Sequence, residues 1–168
     1  EETESSEETT DKEEANADEA DSDEEEAAEA EADEAEAELE AAIEVENDLR
    51  SEIVTYALQF VGNRYKYGGT NPNTGVDCSG FTSYVMRHAA EVELPHSSGG
   101  QSRMGRQVSS SEMRPGDIIC YGSGKRINHV ALYIGNGQIV HASTERTGIK
   151  VSRWNYRTPV RIVNVLGD

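Results

Sequence analysis

Cysteine is scarce in this chain, and so are aromatic residues and long apolar runs. Two cysteines in 168 residues do not make the disulfide framework of a small secreted domain, and their spacing does not resemble a zinc ribbon. No apolar stretch approaches the roughly 20 residues needed to span a bilayer, which excludes a transmembrane helix. No signal peptide is visible, because the first residues are acidic. A chain that starts on Glu rather than Met is expected to be a fragment or a processed form.

Cations are nearly missing from one end. Glu1 to Asp48 holds 25 acidic residues and a single Lys, whereas Leu49 to Asp168 holds eight acidic and 14 basic residues. The overall charge of −18 therefore describes the N-terminal segment, and the remainder is mildly basic. Residues 1 to about 46 also lack any aromatic side chain. Such a segment cannot bury enough apolar area to offset its ordering entropy. Disorder is expected over residues 1–48, with nascent helix at most in EEEAAEAEADEAEAELEAA, where carboxylates lack cations to pair with. A flexible spacer is the leading reading of this segment, and an acidic arm for basic partners is the other.

Residues 49–168 have the periodicities of a folded domain. Leu49, Ile53, Tyr56, Ala57, Phe60 and Val61 recur at helical spacing, and Gly62-Asn63 closes that helix. Gly68-Gly69, Asn71-Pro72 and Thr74-Gly75 break the next stretch into loop. A second helix is expected over Cys78–Ala90, with Asp77 or Cys78 near its N-cap. A polar stretch over Leu94–Gly116 reads as loop with a short helix near Ser98–Met104. From Asp117 the period becomes two, with strands expected at 117–121, 129–134, 138–142, 149–153 and 160–165. Helices first and short strands afterwards point to an α+β fold with helices on an antiparallel sheet.

One cysteine stands where chemistry is favoured. Cys78 lies in VDCSGF, at the start of the second helix. Free amides and the positive end of the macrodipole gather there and favour a thiolate. Ser79 and Gly80 are small and leave room beside the sulfur, and Gly80 lets the first turn approach another element closely. A thiolate nucleophile needs a base. His129 and His141 flank the Gly135-Asn136-Gly137 turn, so a hairpin places them opposite or nearly so on one face. Cys with His and a polar third member is the arrangement of thiol hydrolases. Other readings stand beside it. A buried Cys packs as a small hydrophobe, which is the expected role of Cys120, and Cys78, Cys120, His129 and His141 are ligand types for zinc at spacings that match no common pattern.

The chain resembles the NlpC-type cell-wall peptidases, the NlpC and p-sixty family, from about Ile53 to Val165. The carriers are YKYGG at Tyr65–Gly69, GVDCSGF at Gly75–Phe81, RPGDIICY at Arg114–Tyr121, NHVALYIGNGQIVHAS at Asn128–Ser143 and the closing VRIVNV. The resemblance implies a papain-like α+β fold and hydrolysis of amide bonds in peptidoglycan stem peptides, in many members between D-γ-glutamate and meso-diaminopimelate or lysine. It implies Cys78 as nucleophile, His129 as general base and then acid, and His141 as the orienting third member. It places Tyr65 by the nucleophile as an oxyanion donor, and Asp77 and Ser79 along the subsite for the substrate's N-terminal side. Gly99-Gly100 stands where many relatives carry bulkier groove-bordering residues. No cofactor or metal is implied. A secreted, monomeric protein of the cell wall or extracellular space is expected. Nucleic acid is not an expected partner, since no aromatic interleaving accompanies the basic residues. A wall amidase or thiol acyltransferase on the same fold is the alternative, as is a catalytically silent wall-binding module.

Overall fold

The computed structural model describes residues 18–168, with side chains from residue 24 onward. Among the described residues three helices and eight strands run in the order α1 (Asp18–Leu58), β1 (Thr70–Asn71), β2 (Gly75–Val76), α2 (Cys78–Ala90), α3 (Ser98–Ser102), β3 (Arg106–Gln107), β4 (Ile118–Ser123), β5 (Arg126–Gly135), β6 (Gln138–Thr144), β7 (Gly148–Arg153) and β8 (Pro159–Asn164).

The expectation of disorder over residues 1–48 lies, for residues 1–17, outside the described residues. From Asp18 the structure differs from it: the acidic segment is helical and continuous with the helix expected from Leu49. The reason is cooperativity. Starting a helix is the costly step, and extension adds one hydrogen bond per residue fixed. The apolar-periodic stretch beyond Leu49 supplies a nucleus, and the Ala and Glu residues before it are good helix formers. The side chains of residues 24–45 are all exposed, as their composition requires. The compact unit that carries the sheet runs from Glu44 to Asp168.

Within that unit six strands form one antiparallel sheet in the order β3-β8-β4-β5-β6-β7, and β1 and β2 pair separately. Each of the five strands expected from period-two patterning is present. The short strands β1, β2 and β3 lie in stretches that read as loop, because two residues cannot display a period. Asn136 and Gly137 both have positive φ, 54° and 73°, so the β5–β6 connection is the tight hairpin turn that Asn-Gly favours.

Apolar residues cover both faces of the sheet. Cys120, Val130, Leu132, Val140 and Ala142 join Ile53, Ala57 and Phe60 of α1 and its end with Phe81, Val85 and Met86 of α2. The other face carries Ile119, Tyr121, Ala131, Tyr133, Ile139 and Ile162. Cys120 is fully buried in the first cluster, the packing role expected of it, and burial pushes its thiol up to about 12. The end of α1 is tied to β7 by Gly62 N–H to the Ile149 carbonyl at 2.8 Å and Ile149 N–H to the Asn63 carbonyl at 2.9 Å.

Candidate active site

Helix α2 begins where the sequence places it, and Asp77 is the N-cap: its Oδ1 accepts from the Gly80 amide at 2.7 Å. The same carboxylate joins three segments. Oδ2 accepts from the Gly68 amide at 3.1 Å, and Oδ1 also meets His96 Nε2 at 2.8 Å and the Ser79 hydroxyl at 3.4 Å. A Cβ on Gly80 would fall inside the contact radius of the Gly69 carbonyl oxygen. Glycine at that position therefore allows the YKYGG segment to lie directly against the first turn of α2.

Cys78, the first residue of α2, is partly exposed. Burial pushes its thiol up, while the backbone amides of Val130, Ser79 and Cys78 itself act in the opposite direction. A helix start on its own favours a preformed thiolate. Here desolvation works against that preference and outweighs the amides, which favours the thiol. The Val130 amide belongs to the residue after His129. The β5–β6 ladder begins only at Leu132↔Val140, and α2 packs against β5. Among the described residues no hydrogen bond joins the thiol to either imidazole.

His129 and His141 share a face, as the hairpin predicts, and sit diagonally across it. His129 Nε2 lies 2.7 Å from His141 Nδ1, and His141 Nε2 lies 2.9 Å from Ser152 Oγ on β7. The rings are 8% and 1% exposed. Burial, then the nearby Arg157 charge, holds His129 below the ordinary imidazole range. Burial, then His129 and Lys150, does the same to His141. Both are neutral at neutral pH. If the Nε2 proton of His141 is given to Ser152, then His141 Nδ1 accepts from His129 Nε2–H. His129 Nδ1 is then left unprotonated and able to take a proton.

Tyr65 is half-buried and forms a bridge with Val76, one residue before the cap. Burial, followed by the influence of Cys78 and Asp77, pushes its phenol up. Ser79 is buried, and its carbonyl accepts from Gln101 Nε2 at 2.9 Å. The four zinc-ligand types do not converge: among the described residues no three His, Cys, Asp or Glu side chains form a metal-binding group. Among the same residues no helix is long and apolar enough to cross a membrane.

Sequence reasoning missed several neighbours. Ser152 lies opposite Ile139 on β7 and thus on the imidazole face, which the period of that strand could have indicated. Gln101 is buried and bonds the Ser79 carbonyl, Ser83 Oγ and the Pro95 carbonyl, each at 2.9 Å. It buckles α3 to the start of α2. Tyr156, 5.3 Å ring to ring from His141, and His96 come from loops with no pattern to mark them.

A cysteine at a helix start, packed on an antiparallel sheet that carries an imidazole pair, defines the papain-like class of α+β proteins. Within that class the chain belongs to the NlpC/P60 family, whose profile matches residues 62–162. It is 41% identical over 108 residues to the murein DD-endopeptidase MepS/murein LD-carboxypeptidase of Escherichia coli strain K12, covering 64% of this chain and 56% of that protein. It is 42% identical over 98 residues to a probable endopeptidase p60 of Listeria seeligeri, covering 58% of this chain and 18% of that one. The chain thus spans little more than half of the first relative and less than a fifth of the second. Among solved structures it resembles the NlpC/p60 domain of the peptidoglycan hydrolase SagA, with a TM-score of 0.63 and 32% identity over 68% of this chain and 97% of that one. The peptidoglycan hydrolase RipB of Mycobacterium tuberculosis gives 0.62 and 29% over 71% and 65%.

Proposed function

We propose that the protein is a cysteine endopeptidase of peptidoglycan stem peptides, with Cys78 as nucleophile, His129 as base and acid, and His141 as the orienting member. The observation that carries this is the His129–His141–Ser152 chain together with a partly exposed helix-start thiol that meets the amide of Val130, the residue after His129. The names of the relatives support the substrate class.

In the first step Cys78 Sγ bonds to the amide carbonyl carbon as its proton passes to His129 Nδ1. The Cys78 amide and the Tyr65 hydroxyl hold the oxyanion; one such donor is typically worth about 2.7–4 kcal/mol. The carbon–nitrogen bond then breaks, and His129 gives its proton to the leaving amine. Water attacks the thioester, loses a proton to His129, and the sulfur leaves and is reprotonated. Asp77 and Ser79 shape the subsite on the substrate's N-terminal side. The protein acts outside the cell, at the wall, as a monomer, and the basic balance of residues 49–168 favours anionic wall polymers.

The bond we favour joins D-γ-glutamate to the diamino acid. The E. coli relative's name supports a second reading, cleavage of a DD or LD bond. Digestion of purified muropeptides by the wild type and Cys78→Ala tests both, because product masses identify the bond. They also reveal amidase or acyl-transfer products. Identical products from both proteins would leave only a silent wall-binding module.

A further inference from the structure

A cation beside the site has no part in this chemistry. Arg157 lies in the connection between β7 and β8 and is half-buried. Its Nη2 donates to Asn128 Oδ1 at 2.9 Å, the residue before His129. Its guanidinium carbon is 5.7 Å from the centre of the Tyr121 ring, which is itself 5.9 Å from the His129 ring. The phenol of Tyr156, 45% exposed, lies beside it. Among the described residues no carboxylate stands within ion-pair distance of Arg157. A guanidinium has five donors in a rigid fork that matches a carboxylate. Asn128 occupies one and fixes its orientation.

Position decides what the remaining donors meet. His129 protonates the leaving amine, so the leaving half of the substrate passes over His129 and next to Arg157. At the D-γ-glutamyl bond favoured above, on which this inference also rests, that half begins with the diamino acid. Meso-diaminopimelate carries a carboxylate where lysine has none.

We propose that Arg157 is a specificity residue that receives a free carboxylate of the diamino acid in the leaving half, so that the protein prefers meso-diaminopimelate over its amide and over lysine. This deepens, and rests on, the cysteine-peptidase reading. The cost of an unmatched guanidinium supports it: the Arg157 charge works against protonation of His129, and a bound carboxylate offsets that charge when the imidazole must accept a proton.

The test uses two stem peptides identical except that the diaminopimelate carboxylate is free in one and amidated in the other. The readout is the ratio of their kcat/KM values. The wild type is expected to favour the free acid by about ten- to a hundredfold, as for a charge-assisted pair. Arg157→Gln collapses the ratio toward one, and Arg157→Lys keeps part of it. Asn128→Ala, which removes only the brace, lowers the ratio too and serves if Arg157→Gln does not fold. Lys150→Gln, which removes the cation facing His141, keeps it. Equal cleavage of both peptides by the wild type, or an undiminished ratio in Arg157→Gln, overturns the assignment alone. Failure of the wild type to cleave either peptide, while the muropeptide digest shows cleavage at another bond, overturns the bond assignment and this proposal with it; failure in both assays overturns the peptidase reading.

Discussion

His129 Nε2 and His141 Nδ1 are 2.7 Å apart, and the far nitrogen of His141 reaches Ser152 Oγ at 2.9 Å. The hydroxyl at the end of the chain can take the His141 Nε2 proton, the arrangement that leaves His129 Nδ1 free to accept one. Ser152→Ala removes that partner while leaving both imidazoles in place. We expect kcat to fall about three- to tenfold, as for one neutral hydrogen bond, with KM nearly unchanged. His141→Ala falls further. Steady-state kinetics on a stem peptide checks this, and an unchanged kcat in Ser152→Ala refutes the relay.

The Cys78 thiol is protonated at rest, since burial outweighs the amides that face it. Alkylation by iodoacetamide at about pH 6 should therefore be no faster than for a model thiol. Its rate should climb only above the ordinary cysteine range near 8.5. Rapid labelling at acidic pH would show an ion pair formed before substrate arrives, and the general-base step would then be wrong.

Gly80 is the position where the backbone of the YKYGG segment touches α2. An added methyl meets the Gly69 carbonyl, a backbone atom, along with Asp77 Oδ1 and Val76. Gly80→Ala must push that segment away, so we expect a loss of about 1–3 kcal/mol. Activity should also fall, because Tyr65 moves with it. A denaturant midpoint equal to that of the wild type would mean the segment yields without cost.

Much of this is readable in the residues, for physical reasons. Helix α2 starts and ends as expected because Asp77 is a strong cap and the apolar period is clean. The His129–His141 pairing comes from a two-residue turn that fixes register. The thiol's protonation state is not legible, because the helix start is visible in the sequence while desolvation, which depends on packing, is not. The helix in the acidic segment is hidden because composition reports burial, not the nucleus present beyond Leu49. Ser152, Gln101 and Arg157 meet the site through tertiary contact, and no local pattern marks them.

The two buried imidazoles also set the response to acid. Both are held below the ordinary range of about 6.5 by burial. Below that pH the unfolded chain takes up protons that the folded chain declines, so stability rises with pH there and falls as the solution is acidified. We expect the loss to begin near pH 6.5 and continue until the folded protein itself binds protons. His141→Asn should flatten the slope between about pH 6 and 5. Denaturant titrations across that window measure it, and parallel curves for the two proteins would contradict neutral burial.

Arg50 and Asp117 make the other buried contact with large consequences. They are 2% and 1% exposed, with Nη1 and Oδ1 3.0 Å apart. Asp117 Oδ2 also accepts from the Arg114 amide at 2.8 Å, and Arg50 Nη1 donates to the Pro115 carbonyl at 2.8 Å. The pair thus fixes the turn that launches β4 against the end of α1. Arg50→Met leaves a carboxylate buried without its cation, and removing one member of a buried pair costs about 3–5 kcal/mol. The exposed pair Arg87–Glu93, with side chains 52% and 73% exposed, is expected to be worth under about 1 kcal/mol, and less in high salt. Asp117→Asn combined with Arg50→Met should recover part of the loss, since the buried, unpaired Asp117 charge is gone while Asp168, the other partner of Arg50, keeps Arg114. Urea midpoints for the three variants decide it, and a cost below about 1 kcal/mol for Arg50→Met would show that water reaches the turn and screens the pair.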